Sequence, residues 1–502
     1  MVKRVDAKSI VWGRLMDELK MPEVAQVISK YLGASGRNVA YIDFSRKIQE
    51  FLTWYRGKTA WHNYTVYNGE NNIAVERLSL GMAKTVCEDL ASLQLNEKCE
   101  IEVDEETAQA YIDAVLEDNN WQEQANKLGE LTEALGTGAF VVGIEDEKAK
   151  IDYIQGDMVF PLSWDNGIVK ECAFVKIGGN QKETKYTVIL HTLADNGTYT
   201  IKVAEVDTNG SVVKPYELCN ELAKEYNEDG ERVVMENIPI RLFEVFSPNI
   251  VNNYDKTNPL GMSVFGNAID VLKAIDVVFD SWHNEFVLGK KRIFVKSDLK
   301  KVIVNPGQGV QSQIDPNDVM FYQIDWTGNE SDKPPIYESS MTLRASEHSE
   351  TLDKLLNLLS RKVGLGDGFY AFNNGAVGRT ATEVISVNSS LFRNIKKQEL
   401  TLKRAIKGVV RALLYIGGIV GAGKFDLNQD ITINFDDSII EDTEKEQQRA
   451  MAEYNAGLID RVEYFALTRG LTREQAVKFV AEMEATDTMK QVDAIMNNFG
   501  GI

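Results

Sequence analysis

Cysteine is scarce in this chain: Cys87, Cys99, Cys172 and Cys219 among 502 residues, none in a C-x-x-C pair. That spacing excludes a zinc ribbon, a thioredoxin-type redox pair and a small disulfide-stapled fold. Histidine is equally thin. His62, His191, His283 and His348 lie far apart, with no H-E-x-x-H set, so neither a metal site nor a cofactor is expected. Basic charge is in deficit, with 55 Lys and Arg against 75 Asp and Glu and a net charge of −20. A surface of that sign repels polyanions and excludes tight, indiscriminate DNA binding over the whole protein. Long apolar runs are missing too. The most apolar uncharged stretch, Ala412–Gly423, has 12 residues, where a membrane span needs about 20. The N-terminus, Met1 to Asp6, carries charge and no apolar h-region. The expectation is a soluble protein made in a cytoplasm.

What is present is enough for about three domains. The fold class read from the pattern is α+β, mainly helical. Residues 1–135 read mostly as helix, over Ile73 to Leu93 and Ala108 to Leu135. The period then switches to strands at Ala139–Ile144, Lys150–Ile154, Val169–Ile177, Tyr186–Thr192 and Gly197–Val206. Two long helices, about Ser263–Leu288 and Thr342–Val363, flank a short Gly/Pro-punctuated module with strands at Arg292–Lys296, Val302–Val304 and Val319–Ile324. The first carries Phe265, Ile269, Leu272, Ile275, Phe279, Trp282 and Phe286 on one stripe, with Asp270, Asp276, Asp280 and Glu285 opposite. At 1.5 Å per residue it would run about 40 Å. Two helices that leave a body and return around a small module can build a stem. A third long helix is read over Thr380–Ile416. Beyond it come a strand at Ile431–Phe435 and helices over Glu441–Ala456 and from Thr472, whose Thr472-x-x-Gln475 fits a capping box.

Gly418 to Lys424 fits the first seven positions of a phosphate-cradling loop, but Phe425 stands where a magnesium-binding hydroxyl belongs, and a helix precedes it. Gly364-x-Gly366-x-Gly368 reads as a hinge between helices. Lys290, Lys291, Arg292, Lys296, Lys300 and Lys301 place six cations in twelve residues. They form either a phosphate-facing patch or a solvated helix end. From Arg379 to Arg411, eight cations stand against Glu383 and Glu399. Such a helix either faces DNA beneath an acidic rim or pairs with acidic neighbours.

The run Trp54-Tyr55-x-Gly57-x-x-x-Trp61-His62-x-Tyr64 followed by Asn68-Gly69 resembles the start of portal proteins from long-tailed double-stranded DNA phages of Gram-positive hosts. The resemblance continues through Ser79–Lys84, Leu135-Gly136-Thr137-Gly138-Ala139, Pro248-Asn249-x-x-Asn252-Asn253, Pro259-Leu260-Gly261, Asp276 to Phe286 and Lys290–Val295. Later pieces are Thr380–Val384, Phe435–Ile439 and Ala456–Ile459. Their order makes the resemblance specific. It implies a head-to-tail connector: a ring of about twelve subunits at one capsid vertex, located in the virion and assembled in the host cytoplasm. Residues 1–260 would be the wing, 261–289 and 342–363 the stem, and 290–341 the clip. Residues 364–379 would be the tunnel loop, 380–424 a long wing helix, and 425–502 the crown. The implied partners are double-stranded DNA, the terminase large subunit, a head–tail adaptor, and major capsid and scaffolding proteins. Lys362, Phe369, Tyr370, Phe372, Asn373, Asn374 and Arg379 would face DNA, with Lys290, Lys291, Arg292 and Lys296 as a basic patch where clip meets stem. The rival readings are another minor capsid or adaptor protein, and a packaging NTPase using Lys424.

Overall fold

The computed structural model describes residues 23–34, 44–95, 99–180, 183–213, 230–296, 302–305, 309–312, 321–324, 336–340, 342–370, 381–435, 443–469 and some positions between 473 and 483. It divides into two compact units, Met1–Gly378 with Arg393–Ile433, and Arg379–Phe392 with Asn434–Ile502.

The larger unit opens with helices α1 (Glu23–Ala34) and α2 (Phe44–Tyr55) and an antiparallel hairpin of β1 (Asn63–Tyr67) and β2 (Asn72–Glu76). Three helices follow, α3 (Met82–Gln94), α4 (Glu106–Asp118) and α5 (Trp121–Leu135). The helical reading from Ile73 is therefore corrected. Asn68-Gly69 turns the chain, Gly69 taking a φ of 97°, and cross-strand hydrogen bonds override the spacing of apolar residues before Met82. The single helix read over Ala108 to Leu135 is broken at Asn119 and Asn120. Asn120 adopts a φ of 49°. The Asn119 side chain donates to the Ala149 carbonyl at 3.2 Å and accepts the Ile151 N–H at 2.9 Å, tying the break to a strand.

The strands build two sheets. One has three strands in the order β11 (Phe243–Phe246), β4 (Gly138–Glu145), β5 (Lys148–Gln155). The other is an antiparallel meander from β6 (Val159–Asp165) through β7 (Ile168–Asn180), β8 (Glu183–Leu193) and β9 (Tyr199–Val206) to β10 (Glu231–Ile238). Phe174, Phe243 and His191 meet edge to face with centroids 5.0–5.5 Å apart. Burial pushes the His191 imidazole down to about 3, so it stays neutral.

The helix expected from Ser263 starts later, as α6 (Ile269–Leu288), 20 residues or about 30 Å. The preceding residues are committed to docking: the Ser263 hydroxyl and the Val264 N–H both donate to the Glu133 carbonyl, at 3.2 and 3.0 Å. After α6 come β12 (Arg292–Lys296), β13 (Val302–Asn305), β14 (Gly309–Ser312), β15 (Phe321–Ile324) and β16 (Ile336–Ser339). β12 lies parallel to β15 and antiparallel to β16, while β13 and β14 form a separate hairpin. α7 (Ala345–Lys362) and α8 (Ala381–Ile419) complete the main helices. α8 buries Ile395, Leu402, Ile406, Val409, Leu413 and Ile416 in the larger unit. β17 (Ile431–Asn434) pairs with β3 (Glu100–Val103).

In the smaller unit, α9 (Thr443–Asn455) and α10 (Arg461–Arg469) form a helical hairpin. Gly457 turns it with a φ of 71°, and Asp460 caps α10 by accepting the Glu463 N–H at 2.6 Å. Tyr454 and Tyr464 meet at 5.0 Å, and Leu458 and Leu467 remain exposed. The capping box expected at Thr472 lies outside the described residues.

Two glycine motifs meet at one crossing. Gly136 ends α5 at a φ of 83°, and a Cβ there would stand 2.5 Å from the Met262 carbonyl carbon. A Cβ on Gly261 would stand 2.3 Å from the Gly136 oxygen, and the Gly261 N–H donates to Thr137 Oγ1 at 3.0 Å. Neither backbone has room to retreat. We expect Gly136→Ala or Gly261→Ala to cost at least about 3 kcal/mol, the first by strain as well as clash. Urea unfolding of the purified variants checks this, and wild-type midpoints would refute the crossing.

Candidate functional site

The root of helix α6

Helix α6 is held by its acids. Asp276 is 4% exposed and Asp280 7%. Asp276 Oδ2 lies 2.9 Å from His62 Nε2, and its Oδ1 accepts the Leu80 N–H at 2.8 Å. Asp280 Oδ1 accepts the Leu78 N–H at 3.1 Å, and its Oδ2 accepts from Asn284 Nδ2 at 3.1 Å. The Thr59 N–H can only donate, and it points at His62 Nδ1 from 3.1 Å. Nδ1 therefore accepts, and the proton sits on Nε2 facing Asp276. Trp54 and Trp61 pack on His62 at 5.5 and 5.2 Å, and the Arg77 guanidinium lies over Trp61 and Tyr64 at 4.1 and 4.6 Å. The Trp54–Tyr64 motif is thus a holder for one imidazole.

Of the four acids opposite the apolar stripe, Asp276 and Asp280 are buried. They stand one turn apart and cap the extended segment before α3, whose N–H groups have no strand partner there. Phe286, on the expected apolar stripe, is exposed instead. Sequence reading missed His62 with these two carboxylates. The available signal was an i, i+4 acid pair among Leu272, Ile275 and Phe279 on one helix.

α6 and α7 pack antiparallel. At one end Glu285 grips Arg344 with both oxygens, at 3.1 and 2.8 Å, and also accepts its N–H. Arg344 draws the Glu285 carboxyl down to about 2. At the other end Lys362 Nζ donates to the Asn267 carbonyl at 3.3 Å.

Glu133 sits beneath the root. Its Oε1 accepts from Gln94 Nε2 at 2.9 Å, while Oε2 finds no hydrogen-bond partner among the described residues. It borders a cavity of about 10 Å³ shared with Thr132, Gln398 and Thr401. Burial raises its carboxyl to about 7, against the opposing pull of the Gln94 bond.

The loop platform and the basic segments

The glycines after α7 form an anchored platform, not the free hinge expected from their clustering. The Gly368 N–H donates to Asn357 Oδ1 at 2.7 Å, the Leu365 N–H to the Ser360 carbonyl at 2.9 Å, and the Tyr370 N–H to Ser360 Oγ at 3.2 Å. Arg361 pairs with Asp367 at 3.0 Å. The Tyr370 hydroxyl donates to Asp89 Oδ2 at 2.7 Å, fastening the platform to α3; burial and then Asp89 raise the Tyr370 hydroxyl pKa. Phe369 is 39% exposed and meets Tyr370 edge-on at 5.0 Å. Phe372, Asn373, Asn374 and Arg379 lie outside the described residues.

In the basic patch, Lys290 is exposed, Lys291 pairs with Glu338 at 2.6 Å, and the Arg292 guanidinium lies 5.8 Å from the Tyr322 ring. Lys296 closes β12. Along α8, Lys396 pairs with Glu399 at 3.2 Å. Arg241, Arg404 and Arg411 surround Glu244, whose pKa is nevertheless raised by burial. The segment before α6 docks on the same helix: the Asn249 side chain donates to the Lys397 carbonyl at 2.7 Å, and Thr401 Oγ1 to the Ser247 carbonyl at 3.0 Å.

The glycine run ending at Lys424 follows a helix, and Phe425 stacks on Tyr111 at 5.2 Å and 22°. That is not the strand–loop–helix a phosphate cradle requires. Among the described residues no group of three His, Cys, Asp or Glu could hold a metal, and no helix is long and apolar enough to cross a membrane.

Family membership

The helical pair α6 and α7 therefore brackets a small β module and ends in a tied glycine platform. Residues 41–492 match the family described as phage portal protein, SPP1 Gp6-like. The chain belongs to that family, and is a ring-forming portal protein of a bacteriophage virion. Among solved structures it is similar to a chain in the neck of an empty gene transfer agent (GTA) particle computed with C6 symmetry, at 12% identity and a TM-score of 0.40, covering 78% of this chain and 90% of that one. A neck of the native particle computed with C12 symmetry is similar at 12% identity and a TM-score of 0.38, covering 77% and 89%. The virion of the native particle gives 12% and 0.36, covering 78% and 89%. No curated protein matches the chain.

Two outcomes are expected at the root. Asp276→Ala leaves the Leu80 N–H and the His62 Nε2–H buried without an acceptor, and should lower stability by about 3 kcal/mol in urea unfolding. Glu133 gives a pH signature. Its folded pKa is raised, so its contribution is full below the unfolded value of 4.5 and is lost as pH rises through about 7. Between pH 5 and pH 8 the wild type should lose on the order of 3 kcal/mol more stability than Glu133→Gln. Parallel pH dependences would remove Glu133 from this role.

Proposed function

We propose that this portal protein assembles as a closed ring of about twelve copies at one capsid vertex, of the type found in long-tailed phages of Gram-positive hosts. In this reading the ring is the conduit through which double-stranded DNA is packaged, retained and ejected. The observation that carries the reading is the antiparallel α6–α7 pair, which encloses a β module and delivers the chain to an anchored platform. Residues 261–289 and 342–363 make the stem and 290–341 the clip, where the terminase large subunit and later the head–tail adaptor dock. Residues 1–260 and the helix within 380–424 form the wing, and 425–502 the crown. Major capsid and scaffolding proteins meet the ring during assembly in the host cytoplasm.

Two physical features support this assignment. Exposed Phe286, Val287 and Leu288 on α6 and Leu358 on α7 are apolar side chains that adjacent stems would cover. A chain of net charge −20 lines a bore that holds few phosphates, so DNA slides with little friction. Lys362 at the helix end, Phe369 and Tyr370 on the platform, and Phe372, Asn373, Asn374 and Arg379 beyond it are the segment assigned to face the duplex.

The test is electron microscopy of the purified protein, followed by packaging with a shortened Gly364–Gly378 segment. Rings with a central channel are expected for both proteins, with impaired filling or retention of DNA only in the variant. Normal filling by the shortened protein would remove the loop from this role, and a compact monomer would remove the ring. Lys424→Ala should leave packaging unchanged, whereas nucleotide turnover lost in that variant would favour the NTPase alternative.

A further inference from the structure

A cleft of about 330 Å³ opens beside the stem root, and the channel reading does not use it. Its floor is aromatic. Trp54 and Trp61, the two tryptophans of the N-terminal motif, lie 5.9 Å apart, and Tyr254 at the edge is 64% exposed. Its rim is cationic, with Arg46 and Lys47 from α2 and Lys273 from α6. One carboxylate, Glu50, also lines it and pairs with Lys47 at 2.7 Å. Among the described residues Lys273 pairs with Asp270 alone, at 3.3 Å, whose side chain is 96% exposed, and such surface pairs are weak. Arg46 is exposed and has no ion-pair partner among the described residues. Three cations against one acid invert the sign of a chain carrying −20.

We propose that this cleft receives an acidic segment of the neighbouring copy in the ring. An Asp or Glu of that copy would pair with Arg46 and Lys273, and its methylene stem would lie against the Trp54, Trp61 and Tyr254 rings. The inference rests on the ring reading above and adds a specific contact to it. Three observations select a second copy of this chain as the occupant. The charge is complementary, because the chain has 20 acids in excess of its bases. A closed ring places an identical acidic surface beside every subunit. The cleft also continues onto a helix face with uncovered apolar surface: Val277, one turn beyond Lys273 on α6, is 44% exposed. Cations flanked by aromatic faces bind a carboxylate-bearing side chain through both its charge and its stem.

The experiment uses the full chain. Gln49, which lines the cleft, is replaced by a photoreactive residue, Gln49→p-benzoylphenylalanine. Assembled rings are irradiated and the linked peptides identified by mass spectrometry. The expected product joins two copies through a peptide carrying Asp or Glu. In parallel, Arg46→Gln with Lys273→Gln should raise the protein concentration needed for half-assembly about tenfold, and should flatten its dependence on salt. Both side chains are at least partly exposed, and an unchanged thermal midpoint of the monomer excludes a folding defect. Three results would overturn the proposal: rings that yield no link between copies, a link to a different virion protein, or a double variant that assembles at the wild-type concentration and salt dependence. Failure of the wild-type chain to form any ring would sink the ring reading itself, and that outcome is separate from an intact ring with an indifferent cleft.

Discussion

A carboxylate taken out of water must be met by donors, and Asp276 meets that demand with groups distant in sequence. One donor is the imidazole held by the Trp54–Tyr64 motif, and the other is the backbone at Leu80. Asp280 repeats the arrangement one turn on with Leu78. The motif, the segment leading into α3 and helix α6 therefore have only one mutual placement that leaves no buried charge unanswered. Hydrophobic contacts along Ile269, Leu272 and Ile275 supply area, but area tolerates sliding and rotation. Two fixed carboxylates do not. The phase of α6 about its own axis is set by them.

The glycine crossing fixes the other side of the root. Gly136 and Gly261 let two backbones touch, and the Thr137 hydroxyl bonds across the contact. Short motifs that look unrelated along the chain are in this way parts of one joint, which explains why their order carried more information than any one of them. The same joint passes through the Glu133 carbonyl, so α5 and the segment leading into α6 share hydrogen bonds as well as packing.

Much of this architecture was legible in the sequence. Alternating strands with Asn-Gly turns marked the meander, and the helical spacing on either side of a small β module marked α6 and α7. What periodicity could not show was the polar logic. Apolar spacing before Met82 looked helical until Asn68-Gly69 paired two strands. That Asp276 and Asp280 are buried could not be read from the pattern, because a one-dimensional pattern contains no donors from elsewhere. The glycines at 364, 366 and 368 looked loose, yet Asn357, Ser360 and Asp89 tie that segment down. A residue's partners, not its type, decided each of these cases. Lys424 gives the converse lesson, since its glycine run fits a phosphate-loop pattern while Phe425 is spent on stacking against Tyr111.

The hairpin of α9 and α10 leaves Met451, Leu458 and Leu467 facing outward around a small aromatic cluster. A pair of helices this short encloses too little interior to hold itself together alone. The packing continues past α10, where Phe465 meets Phe479 at 5.3 Å and the Arg469 guanidinium lies 4.5 Å from the same ring. Loosening Phe479 would therefore uncover Phe465 and Arg469 together, so the order of the hairpin is tied to that of the residues after it.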